Sequence, residues 1–180
     1  LETLAARADD LADASYSPSA AFEQLLRRHA PSAYPGHAAT TLLPAAQTLV
    51  AQAAAALAAE AGEELPIFVD VTDGSGDLLL TAAITYAGEL APSVATLALD
   101  TAMGRLARRR LRVHDLHRLD IALDEAGDFV VGGGTGRSAV HLIQVPPAGA
   151  PGLSDLEVLD TVGNLVVQLS DDSRVVVIGP

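Results

Sequence analysis

A chain of 180 residues, 49% hydrophobic but only 3% aromatic, has room for one ordinary domain whose core is built from Ala, Leu and Val rather than rings. Its formal charge of -12 opposes close approach to a polyphosphate, and without aromatic platforms for nucleobases, autonomous nucleic-acid binding is not expected. The absence of cysteine excludes disulfides and thiolate metal sites, and no apolar run reaches the roughly 18 residues a membrane span needs.

Residues 1–62 read as an N-terminal helical segment, Ala-rich and punctuated by Pro and Ser at "SYSPSA" and "HAPSAYPGHA". No basic region leads into a hydrophobic one, so a cytoplasmic protein with no membrane partner is expected. Ser17 and Pro18 form a cap and first turn for a helix carrying Phe22, Leu25 and Leu26 on one face. A further helix is expected over 38–61, with Leu42, Leu43, Leu49, Val50 and Leu57 as its stripe and Pro44 in its first turn or at a kink.

From residue 66 short apolar runs alternate with helical ones. "PIFVDV" reads as a buried strand and "DLLLTAAITYAG" as a helix whose Asp77 suits the positive end of the helix dipole. "VATLAL" (94–99) is a second strand. "DTAMGRLARRRLRVHDLH" follows as a helix with Met103, Leu106, Leu111 and Val113 inward and its arginines outward. Further strands are expected at 119–123, 139–145 and 174–179. Gly163-Asn164 offers a hairpin turn, but Ser154 and Glu157 make a capping box and the apolar spacing from Leu156 to Leu169 is helical, which favours a helix. Alternation of this kind implies an α/β core over 63–180, with a parallel sheet, right-handed crossovers and a crevice at the carboxyl ends of the strands. Leu1 in place of Met, and an end at "RVVVIGP" directly after an apolar run, read as trimmed ends of a longer chain.

The stretch "IFVDVTDGSGDLLL" (67–80) brings a strand, an acid and a tight glycine turn to that crevice. It fits neither the P-loop pattern nor the dinucleotide pattern. "VVGGGTGRSA" (130–139) has Arg137 where a P-loop has Lys and precedes a strand rather than a helix, so a flexible connection is expected there. His114 and His117 stand at i and i+3, but a solvated helix end explains them better than a metal pair, and no metal site is assigned. The arginine run 108–110 with Arg112 reads as a helix face, and it is the one basic patch available for a nucleic acid or an acidic partner.

"DVTDGSGDLL" resembles motif I of the S-adenosylmethionine-dependent adenine-N6 DNA methyltransferases of the type I restriction-modification kind. Asp70, Gly74, Ser75, Gly76, Leu78 and Leu79 stand where that pattern wants them. The remaining motifs follow in order over roughly residues 38–180: "VATLALDTAMGRLARRRL" is similar to the family's second strand and helix, "LDIALDE" to its third strand, and "QVPPAG" to its Pro-Pro motif. The resemblance implies a Rossmann-like class I methyltransferase core with strand order 3-2-1-4-5, lacking the family's final hairpin. It implies S-adenosyl-L-methionine as cofactor, held by Asp70, Gly74, Ser75 and Gly76, with Asp124 reaching the adenine.

Two departures limit what carries over. The carboxylate expected to hold the cofactor ribose is replaced by Ala98, with only Asp100 nearby. In the catalytic motif, Val145 and Ala148 flank Pro146 and Pro147 where the family has Asn or Asp and an aromatic. Adenine methylation needs acceptors for the exocyclic amine and a stacking surface for the flipped base, so no catalytic residue is assigned and adenine transfer is not expected. Two functions remain open. One is an enzyme with weakened cofactor affinity and an unidentified acceptor near Pro146; the other is a non-enzymatic scaffold or regulatory module of the same fold. The resemblance implies a specificity subunit or other protein as partner, with DNA reached only through a partner or a missing segment.

Overall fold

Prolines open three helices that precede the sheet: α1 (Pro18–Ala33), α2 (Pro35–Thr40) and α3 (Pro44–Glu60). A first-turn position needs no backbone N–H and suits the fixed proline φ. Ser17 caps α1 as expected, its Oγ accepting from the Ala20 amide at 3.1 Å. The computed structural model describes residues 6, 9–11, 13–60, 66–86, 92–97, 100–116, 118–123, 129–131, 139–169 and 173–179.

The single helix expected over 38–61 is two, because Thr41 turns the chain into extended backbone and Pro44 starts a new helix. Its buried face matches the expected stripe in part: Leu42, Val50 and Leu57 pack against the core. Ala51, Ala54 and Ala58 are buried, whereas Leu43 and Leu49 are 77% and 68% exposed. The small alanines let α3 lie close against α4 (Asp77–Tyr86), and that proximity decides which face turns inward.

The remaining elements are β1 (Ile67–Asp70), β2 (Ser93–Leu97), α5 (Ala102–Val113), β3 (Arg118–Leu123), β4 (Phe129–Val131), β5 (Ala139–Gln144), α6 (Asp155–Val167) and β6 (Arg174–Ile178). They form one sheet in the order β4-β3-β2-β1-β5-β6. β1 pairs in parallel with both β2 and β5, for instance Val69 with Ala95 and with His141. The five parallel strands thus take the expected order. A sixth strand was not anticipated: β4 runs antiparallel to β3, Ile121 opposite Val131, and it begins the stretch expected to be a connection. Three residues ahead of a glycine run are too few to show a strand period. Residues 132–138, and Ala98 and Leu99 of the expected second strand, lie outside the described residues.

Alternation along the strands feeds two cores. Phe68, Val94, Val140 and Leu142 pack under α3 and α4 with Leu79, Ala82 and Leu111, while Tyr86 meets Phe68 edge-on at 5.8 Å. On the other face Val69, Ala95, Ile121 and Ile143 are covered in part by Val158, Val162 and Leu165 of α6. The helical reading of 154–169 holds, with the Ser154–Glu157 capping box formed. The arrangement is a Rossmann-like α/β fold with an antiparallel strand at one edge. No described helix is long and apolar enough to cross a membrane.

Candidate cofactor crevice

β1 ends at Asp70, whose position above the turn is set by local bonds. Its Oδ1 accepts from the Thr72 amide at 2.8 Å and from the Thr72 hydroxyl at 2.6 Å. The other carboxylate oxygen rests on Gly74, where a Cβ would come within 2.3 Å of it, so only glycine admits this contact. Burial pushes the Asp70 carboxyl up to about 6, against the two Thr72 bonds. Gly76 has φ +79, the left-handed conformation that glycine adopts without strain, and from it the chain enters α4 at Asp77.

The loop after β5 closes onto this turn. The Gly149 amide donates to the Asp73 carbonyl at 3.0 Å, and Thr101, the N-cap of α5, donates to Asp73 Oδ1 at 2.6 Å. The cavity left between the two loops is lined by Asp70, Gly74, Ser75, Gly76, Pro147 and Ala148, among others. The expected motif I residues and the Pro-Pro motif therefore do meet in space. Asp100 is not among the lining residues: its side chain is 88% exposed and pairs with Arg105 at 2.8 Å. Asp124 lies outside the described residues.

The N-terminal helices cover the same crevice. His37 of α2 is buried with Nδ1 3.2 Å from Asp77 Oδ2, and Gln144 donates its side-chain amide to the Thr40 carbonyl. Behind them, Arg110 of α5 pairs with Asp77 and forks onto Glu23 of α1 with two bonds of 2.6 Å. His114 Nε2 also reaches Glu23, at 3.1 Å. Burial alone would raise the Asp77 carboxyl, but Arg110, the Ser75 hydroxyl and His37 together hold it below the usual carboxylate range. Asp77 and Glu23 in turn keep Arg110 charged against its own burial.

Arg110, only 7% exposed, corrects the expectation that all the helix arginines face outward. The signal was present in the spacing, since Met103, Leu106, Ala107, Arg110 and Leu111 share the inward side of α5. His114, expected as a solvated helix end, is likewise drawn in by Glu23. Glu23 and Arg110 stand 87 residues apart, and no local pattern announces such a pair. Asp73 and Thr101 were missed for the same reason.

Gly36 is the tightest point of the cover, since a Cβ there would lie 2.1 Å from the Ala148 carbonyl oxygen, a backbone atom that cannot swing aside. Gly36→Ala should therefore destabilise the chain by about 1–3 kcal/mol despite its better helix propensity. A thermal melt in which the variant equals or exceeds the wild type would contradict this packing.

The cavity over Asp70 and Gly74 is only about 10 Å³, whereas small-molecule sites usually span roughly 300–1,000 Å³. S-adenosylmethionine does not fit it with the 35–41 segment in place. In the Pro-Pro segment Val145, Pro147 and Ala148 are all buried and offer no side-chain acceptor. Comparison with protein-family profiles, with curated proteins and with solved structures gives no match for this chain. The class that the fold defines is Rossmann-like α/β.

Proposed function

We propose that this chain is an N-6 DNA methylase-like domain of the S-adenosylmethionine-binding type whose adenine-transfer site is degenerate. One observation carries the reading: the glycine turn after β1 and the Pro-Pro segment after β5 converge on one crevice at the carboxyl ends of the central strands. That is where ligands of open α/β sheets lie. In such a site Asp70 would face a cofactor amino group and the glycines would let backbone approach it. Cofactor entry would require α2 to leave the crevice, since Gly36 and His37 lie over it.

The closed crevice favours a second reading, in which the domain keeps the fold as a scaffold or regulatory partner and handles no cofactor. Calorimetric titration of the purified chain with S-adenosylmethionine separates the two. Weak saturable heat supports the cofactor reading, and no heat at millimolar cofactor removes it and leaves the scaffold. In either case a methyl-transfer assay on adenine-containing DNA should be negative. Transfer above background would overturn the argument from Val145 and Ala148.

A further inference from the structure

We infer that the outer side of α5, together with the start of β3, is a binding site for a compact polyphosphate, either inorganic or the tail of a nucleoside triphosphate. All 11 basic residues of the chain are arginine, and five of them line one groove of about 610 Å³. Arg105, Arg108, Arg109 and Arg112 stand at i, i+3, i+4 and i+7, on one side of α5 and spread over about 10 Å at the helical rise per residue. Arg118 comes to the same groove from β3 after a turn in which Asp115 adopts φ 56; Asp115 itself adds one carboxylate to the lining, against five guanidiniums, and Leu116 an apolar patch.

Arg105 and Arg118 are held in place by neighbouring residues. Arg105 is bonded to the Asp100 carboxylate at 2.8 Å and to its carbonyl at 3.1 Å, and Arg118 donates to Thr96 Oγ1 at 3.2 Å. Guanidinium forks match phosphate oxygens two at a time, so several forks facing one groove can share a chain of phosphates. Here the arginines surround a volume that falls within the ordinary range for small ligands.

Net charge selects the size of the ligand. With 23 acidic residues against 11 basic ones, the chain repels any polyanion whose charge extends beyond the groove, and it repels a compact one much less. No aromatic side chain lines the groove among the described residues, so the phosphates carry the binding. The inference does not depend on the methylase-like reading, since none of these residues lines the crevice.

Sodium tripolyphosphate titrated into the full chain by calorimetry should give saturable binding that weakens with added salt, and ATP should bind about as tightly. Arg109→Gln with Arg112→Gln should weaken it at least about tenfold, while Arg27→Gln with Arg28→Gln on α1 should leave it unchanged. Should the first variant fail to fold, hydrogen exchange on the wild type decides: tripolyphosphate should protect residues 105–118 and no other helix. No saturable binding at millimolar tripolyphosphate would overturn the site. So would equal weakening by both variants, or a short DNA duplex binding more tightly than tripolyphosphate.

Discussion

Between pH 6.5 and 4 the stability of the wild-type chain should change little, because two buried groups on opposite faces of the sheet titrate in opposite senses. Burial raises Asp70 from 3.8 to about 6 and lowers His141 from 6.5 to about 4. Asp70 contributes stability that is fully present below pH 3.8 and is lost as pH rises through 6. His141 contributes stability that is present above pH 6.5 and is lost as pH falls through 4. Each shift corresponds to about 3 kcal/mol, so acidification gains from one what it loses from the other. Asp77, with its lowered carboxyl, acts only below the ordinary carboxylate range and stays outside this window.

Substitution should uncover each half. Asp70→Asn leaves His141 alone, and stability should fall by about 3 kcal/mol from pH 6.5 to 4. His141→Leu leaves Asp70 alone, and stability should rise by a similar amount over the same interval. It also removes the ring nitrogen Nδ1, which is buried and has no hydrogen-bond partner among the described residues. Urea unfolding at a series of pH values reads both slopes. Parallel profiles for wild type and Asp70→Asn would refute the assignment.

Arg110→Ala should be the most damaging single substitution, at about 3–5 kcal/mol, because it strands the Glu23 and Asp77 carboxylates in partly buried positions with their main cation gone. The loss belongs to the uncompensated charges rather than to any large favourable energy of the pair. Accordingly, the triple variant Glu23→Gln, Asp77→Asn, Arg110→Met should recover most of it. Equilibrium unfolding of the two variants tests both statements. A loss below 1 kcal/mol for Arg110→Ala would mean that solvent screens the cluster.

The strand order was legible because each strand carries its own apolar run, and right-handed crossovers leave few ways to stack them. Asp70 and the glycine turn were legible for the same local reason. What the sequence did not disclose is mainly non-local. Nothing near Gly36 shows that Ala148 will press on it, and nothing near Glu23 shows that Arg110 will arrive. The leucine stripe of α3 held only in part: Leu42, Val50 and Leu57 do meet the core, but the close approach of α4 buries the alanines fully and leaves Leu43 and Leu49 outside. A short edge strand such as β4 lacks the length to declare a period.

The alanine seam between α3 and α4 bears on how this chain can change. A leucine core tolerates exchange among leucine, isoleucine and methionine, since volume is conserved and neighbours repack. Ala54 and Ala58, both with no exposed surface, have no such equivalents. Any larger side chain must force two helices apart, and glycine would weaken α3 by about 1 kcal/mol per site. Sequence drift in this molecule is thus steered away from the seam and onto the outward leucines at 43 and 49, where size is unconstrained.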